Sequence, residues 1–461
     1  MGAVLAYSRE DLRTQEDVRT MAHDALDAWL DQVEAETGKT PTLLQISERF
    51  MATRLQLLGA CLEGLIRQQY AADLEQTEAT CGCGRRLRRR RVDAKEISTL
   101  HGRFTLHRPY FYCEACGVGF HPLDTKLGLS GQHHQYDIQE RTTRVGAELP
   151  YGVSEEQFER LTGVAASPHF MHETLNAVGE EATLERVLPD ADEISRRIDV
   201  ARAGSHRRPV LVVACDGAHA PTRPPGGRSK KRGPGAWREV KGFRLYLLGP
   251  DHRVIHVAGW HQIADKAELS TALGVVAARI PRDRVRIALV ADGAGWIWDA
   301  FREHFPEGEE ILDYYHCAEH VYETARAQYG EATLEAQEWA EATLTRLCLN
   351  QLGAVVGGLL RMHPRTPAAE EAIRGLSIYL AGQRERVGYR ELRRRGLPRG
   401  SGGIESANKL ICHVRLKRSG AWWLEANGNT MLRIRCALYN GTFDQIFADY
   451  MATRGASDAL P

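Results

Sequence analysis

Two apolar runs constrain this chain more than anything else in it: VLVVACDG at 210–217 and RIALVADG at 286–293. Neither alternates in polarity, so each reads as a strand covered on both faces, which requires a sheet with helices packed on either side. Each run ends in Asp-Gly. That places Asp216 and Asp292 where a buried sheet opens to solvent, the usual position of ligands in α/β architectures. Neighbouring strands lie about 4.8 Å apart, so two such carboxylates on one face can share a cation. A hard ion such as Mg²⁺ favours carboxylate oxygens. Asp-Gly after a strand is also an everyday turn signal, and the pair alone leaves both readings open.

From residue 206 onward strands and helices alternate. The first strand leads into the Gly/Pro/basic loop GAHAPTRPPGGRSKKRGPGA, then a hairpin-like pair joined around Gly249-Pro250-Asp251. A helix, the second aspartate strand, the helix GAGWIWDAFREHF and the short strand EEILDYYH follow, before a long helical block over about 317–390. The segment GSGGIESANKLICHVRLKRSG at 400–420 then opens a helix with Glu405. The spacing of Ile404, Ala407, Leu410, Ile411 and Val414 predicts its buried face. A first-turn glutamate with Lys409 four residues on is an ordinary helix-start pair. The other reading makes Glu405 a third carboxylate beside Asp216 and Asp292. The order of these elements is that of the ribonuclease H-like catalytic fold, in which three carboxylates hold two metal ions for phosphoryl transfer. Lys409, His413, Arg415 and Lys417 would then lie near a DNA backbone.

The first half has a different texture. Residues 1–78 read as a helical region and 79–125 as a small β module bracketed by Cys81/Cys83 and Cys113/Cys116. Four thiolates can close a tetrahedral Zn²⁺ site, and a hairpin with little core gains most of its stability from such an ion. The C-x-C spacing of the first pair is one residue short of the usual C-x-x-C, and four reduced cysteines are the alternative. Residues 126–205 read as helical. Within them Ser154 and Gln157 suggest a capping box, Gly163 a break, and Ser167-Pro168 a second helix start. This is the cadence of a helix-turn-helix, or of two packed helices that never touch DNA. The catalytic domain is expected over 206–316 and 399–445, interrupted by a helical insertion at 317–398, with a tail at 446–461. Trp298 reads as core, with base stacking of Trp296 or Trp298 the lesser alternative, and Trp422 and Trp423 read as packing residues.

The chain has 461 residues, 43% hydrophobic and 26% charged, which describes several globular domains. It has no apolar run fit to cross a bilayer and no leader peptide at its start, so a cytoplasmic location is expected. Its zero net charge argues against indiscriminate coating of nucleic acid, but its arginines are clumped. Arg85, Arg86, Arg88, Arg89, Arg90 and Arg91 crowd seven positions, Arg228, Lys230, Lys231 and Arg232 form a second block, and RELRRRG at 390–396 a third. Such blocks suit phosphates, or a solvated surface.

Taken together, CEACGVGFHPLDTKLGL, ACDGAHAPTR, WREVKGFRLY, VADGAGWIWDAF, ILDYYHCAEHV, GSGGIESANKLICHVRLKRSGAWW and NTMLRIR resemble DDE transposases of bacterial insertion sequences, specifically the Kra group, which is related to the Mutator-like transposases. The resemblance spans roughly residues 79–440 and implies a catalytic triad of Asp216, Asp292 and Glu405. The related group's C/D-x-x-H motif fits both Asp313–His316 and Cys317–His320, so His316 and His320 are both candidates for organising the site. The resemblance also implies two Mg²⁺ ions, with Mn²⁺ as a substitute, and one structural Zn²⁺. Its implied partner is double-stranded DNA, both terminal inverted repeats and target, bound by an oligomer that is at least a dimer. No covalent protein–DNA intermediate is implied. A structure-specific nuclease of the same fold, and a transposase-derived DNA-binding protein without strand transfer, are the alternatives.

Overall fold

The computed structural model describes residues 15–37, 40–202, 205–224, 235–249 and 253–458. The basic block with Arg228, Lys230, Lys231 and Arg232 lies outside the described residues. The chain forms two compact units, Met1–Glu181 with Asp444–Pro461, and Ala182–Phe443.

In the first unit, helices Gln15–Thr37 and Leu43–Gln69 are joined by a buried hydrogen bond from Trp29 Nε1 to Thr53 Oγ1, 2.8 Å. The second helix starts with a capping box between Thr42 and Gln45. Strands β1 (Glu78–Thr80) and β2 (Arg86–Arg88) pair antiparallel, and β3 (Arg91–Thr99), β4 (Gly102–Cys113) and β5 (Val118–Phe120) form a three-stranded antiparallel sheet in that order. Strand β4 alternates buried and exposed from Gly102 to Leu106, the period-two pattern of a half-covered sheet. Its inward residues Phe104 and Leu106 meet Ile97 and Leu123 in one core cluster.

Helices Tyr136–Glu148, Tyr151–Thr162 and Pro168–Glu181 enclose a second cluster of Ile138, Phe158, Val164, Ala166 and Met171. Gly163 ends the middle helix in the left-handed region, φ 75°, and Pro168 opens the next, as the sequence suggests. The expected cap at Ser154 is corrected. The helix begins three residues earlier at Tyr151, and the Ser154 hydroxyl is buried, directed at the carbonyls of Val145 and Leu149. The segment read as a tail is the helix Phe443–Asp458, and its Tyr450 hydroxyl donates to Gln139 Oε1 at 2.9 Å.

The second unit is built on a five-stranded mixed sheet: β6 (Val210–Thr222), β7 (Ala236–Leu248), β8 (Val254–Ile263), β9 (Arg286–Ala291) and β10 (Glu309–Leu312). Its order is β10-β9-β6-β7-β8, with β6, β7 and β8 antiparallel in succession and β6, β9 and β10 parallel. Val210–Cys215 of β6 are all buried, as a run without alternation requires. Helices Leu184–Val187 and Ala191–Arg202 belong to this unit. Arg197 of the latter donates to the Val257 carbonyl at 2.9 Å, so the unit begins before the change of texture seen near 206. Five α-helices and a short 3₁₀ helix, Arg384–Arg386, lie between Tyr314 and Arg394. Helix Gly402–Ala407 then continues through a π-helical turn, Asn408–His413, into Val414–Leu416. No helix among the described residues is long and apolar enough to cross a membrane.

Candidate functional site

Strand register sets the site. β6 and β9 pair Ala214 with Val290, so continuing that register two residues makes Asp216 and Asp292 level on neighbouring parallel strands. β9 and β10 pair Ala291 with Leu312, which makes Asp313 level with Asp292. On the other side Asp216 pairs with Gly242, and Gly242 with His261. One row therefore runs from the residues just past β10 and β9, Asp313 and Asp292, across Asp216, Gly242 and His261.

Asp216 Oδ1 accepts the Gly217 N–H at 2.7 Å, and its Oδ2 accepts Asn408 Nδ2 at 2.7 Å. Burial pushes its carboxyl up to about 6. The Gly217 N–H opposes that rise, Asp292 and Glu405 add to it, and His316 pulls down. Asp292 Oδ1 accepts the Ala294 N–H at 2.9 Å, and its carbonyl accepts the Tyr379 hydroxyl at 2.8 Å.

Glu405 is exposed, near the start of its helix, with the Ser401 hydroxyl 3.4 Å from Oε1. That start is held from two sides. The Asp313 carboxylate, 1% exposed, caps the helix Tyr314–Tyr329 through the Tyr315 and His316 N–H groups and accepts both the N–H and the hydroxyl of Ser401. Arg244 Nη1 donates to the Gly403 carbonyl at 2.7 Å, and Gly403 lies so near Tyr246 that a Cβ there would come 2.4 Å from Cε1. Of the two C/D-x-x-H frames, Asp313 makes the cap. Cys317 is fully buried, and burial raises its thiol to about 12. His316 and His320 stack edge to face at 4.8 Å, and His320 lies 4.6 Å from the Tyr379 ring.

Asn408, His261, Arg244 and Tyr246 escaped the reading of the sequence. The available signal was polarity on the wrong face. Asn408 and Arg415, each 4% exposed, occupy the inward side of the Glu405 helix, while Leu410 and Val414, assigned to that side, are 48% and 38% exposed. Arg415, expected near phosphates, has its guanidinium over the Trp423 ring at 5.0 Å. Lys409 and Lys417 are exposed. Trp298 is core as expected, and Trp296 carries the Lys241 ammonium 4.5 Å above its ring. Trp422 is 46% exposed with its ring against Gly235, whereas Trp423 is held at both ends, its backbone N–H donating to Pro221 and its Nε1 to Leu416.

In the first unit the four cysteines converge despite the short C-x-C spacing, with all four sulfurs within 4.8 Å of one another. Cys81 Sγ is 3.8 Å from Cys116 Sγ, and Cys83 Sγ is 3.8 Å from Cys113 Sγ. A tetrahedron with Zn–S bonds near 2.3 Å has edges of about 3.8 Å, so the donor set fits zinc. The Cys116 N–H helps hold the Cys113 thiol down at about 7, while the neighbouring sulfurs push Cys116 up to about 12. Four thiolates together therefore need a cation. Among the described residues no other set of three or more potential ligands is drawn together in this way; Asp216, Asp292 and Glu405 are not gathered so closely. Beside the cluster Arg85, Arg86, Arg88 and Arg89 are exposed, with no ion pair among the described residues, whereas Arg90 pairs with Glu114 at 2.5 Å and Arg91 with Asp93 at 2.7 Å.

Fold and sites define a multidomain α/β protein with a mixed five-stranded sheet and a four-cysteine cluster that could hold a zinc ion. No protein-family model matches the chain, and no curated protein does. Among solved structures, the Drosophila P element transposase strand transfer complex is similar over 68% of this chain and 80% of that chain, at 10% identity and a TM-score of 0.27. A likeness that slight says nothing of function on its own.

Proposed function

We propose that this chain is a DNA transposase of the DDE type, with a ribonuclease H-like catalytic domain, that binds the ends of its own insertion sequence and catalyses strand cleavage and strand transfer. The observation that carries the reading is the common level of Asp216 and Asp292 on neighbouring parallel strands, with the start of the Glu405 helix fastened to Asp313 at the end of the next strand. A sheet of three antiparallel strands flanked on one edge by two parallel ones is the order expected of a ribonuclease H-like domain. Among the described residues Asp216 receives hydrogen bonds only from neutral donors, the Gly217 N–H and the Asn408 amide, so its charge is left for a cation to neutralise.

Asp216, Asp292 and Glu405 would hold two Mg²⁺ ions, or Mn²⁺ in their place. When bound, the ions would stabilise the charge that develops on the oxygens of a transferring phosphoryl group. The chain's own residues set the geometry. Asp313, through Ser401, fixes where the Glu405 helix begins, and Asn408 orients Asp216. Exposed Arg85, Arg86, Arg88, Arg89, Lys409 and Lys417 would contact phosphates of element ends and target, and the helix pair Tyr151–Thr162 and Pro168–Glu181 would read the terminal repeats. One zinc ion on the four cysteines is structural, and the DNA-bound assembly is at least a dimer.

The test is a nicking and joining assay on labelled element ends with Mg²⁺. Glu405→Gln is expected to lower both products at least about 100-fold, the scale on which a lost transition-state contact acts. Equal activity removes Glu405 from the chemistry. Nicking without joining identifies a nuclease, and binding without either a DNA-binding protein.

A further inference from the structure

The row through Asp216 has a gap at Gly242. A Cβ there would lie 2.4 Å from His261 Cδ2 and 2.6 Å from Nε2, so the absence of a side chain on β7 is what lets the imidazole occupy the space between β8 and Asp216. That ring is fully buried, with Nε2 2.7 Å from Asn408 Oδ1 and Nδ1 without a partner among the described residues. The direction of each hydrogen bond follows from the far end. An ionised Asp216 can only accept, so the Asn408 amide turns its NH₂ toward Oδ2, 2.7 Å away. Its oxygen is then left facing His261, and Nε2 must carry the ring's proton. Asn408 stands three residues after Glu405 in the same continuous helix, at the start of the π-helical turn, a departure from α geometry common at functional sites.

We propose that Gly242, His261 and Asn408 form a positioning relay for Asp216. The relay fixes which carboxylate lone pairs face a divalent cation and ties that orientation to the helix that presents Glu405. It rests on the assignment of Asp216 as a metal ligand, and none of the three residues touches the cation or DNA. Losing an outer partner of a metal ligand typically weakens metal affinity 10–100-fold, so affinity is where the relay shows itself.

The test titrates the zinc-loaded full chain with Mn²⁺, followed by loss of the free-ion electron paramagnetic resonance signal, alongside the Mn²⁺ dependence of nicking. Asn408→Ala and His261→Phe are expected to raise half-saturating Mn²⁺ at least about tenfold while nicking at saturating Mn²⁺ recovers most of the native rate. His261→Gln, which keeps a donor for Asn408, should stay within about threefold of native. Gly242→Ala, which displaces the ring but leaves every polar group, should shift like His261→Phe. A merely structural role would lower the yield of folded protein and leave half-saturation alone. Native half-saturation in Asn408→Ala and His261→Phe, with binding lost in Asp216→Asn, overturns the relay alone. Undiminished binding in Asp216→Asn overturns the metal assignment, and the relay with it.

Discussion

Asp216 is a carboxylate whose fold favours its neutral form. Burial and two neighbouring acids raise it to about 6, against about 3.9 for a free aspartate. Between those values the folded chain binds more protons than the unfolded one, so stability is lost as pH rises from about 4 to about 6, by up to roughly 2–3 kcal/mol. His256 and His261 have the opposite slope. Burial lowers both to about 4, so the stability they contribute is present above about 6.5 and lost as pH falls toward 4. Melting the zinc-loaded native chain and Asp216→Asn across this range, with no other divalent ion added, separates the two. The variant is expected to be the more stable above pH 6, with the gap closing toward pH 4, and Mn²⁺ should stabilise only the native chain. Asp216 itself was legible because a charged residue closing an apolar run is conspicuous. Asn408 was not: its burial is decided by Asp216 and His261, 192 and 147 residues away, and no local periodicity reports such partners.

At the scale of elements, the Asp313–Ser401 clasp and the cysteine cluster both join chain ends that nothing local holds. Replacing Asp313 by Ala removes a helix cap, about 1 kcal/mol, and strands a buried N–H and hydroxyl, about 1–3 kcal/mol more. Urea denaturation should therefore show Asp313→Ala losing about 3 kcal/mol and Ser401→Ala about 1 kcal/mol, with both lowering nicking because Glu405 loses its fixed starting point. For the cluster, metal analysis should find one zinc per chain, lost in Cys113→Ser. Hydrogen exchange should then show β3–β5 losing protection while β6–β9 keep theirs. The strands, the helical insertion and the Gly163 break were readable because each carries its own pattern. The Ser154 cap was misread because a serine followed by a glutamine three residues on looks the same inside a helix as at its start. The C-x-C doubt dissolved for a reason invisible in spacing: the sulfurs approach crosswise, Cys81 with Cys116 and Cys83 with Cys113.

Across the whole molecule 60 basic and 60 acidic side chains cancel, so the proposed attraction to DNA would have to come from local patches. If Arg85, Arg86, Arg88 and Arg89 each meet a phosphate, replacing all four by Ala should flatten the slope of log affinity against log salt by about 3–4, at about 0.9 per contact. Fluorescence anisotropy on element ends at several salt concentrations measures this, and an unchanged slope removes the patch from the interface. The order of strands along the chain was legible, whereas the two-unit partition was not, because the return of the chain from Asp444 to the first unit depends on contacts such as Tyr450 with Gln139.

The clasp between residues 313 and 401 also makes the intervening helices a detour that leaves and rejoins the sheet at one point. Added length at its outlying turns, Gly330–Thr333 or Met362–Thr366, should leave the carboxylate geometry untouched, because closing a longer loop costs only about 0.6 kcal/mol per doubling. Those turns are where a reporter or a whole foreign domain could be spliced in without disturbing the proposed site.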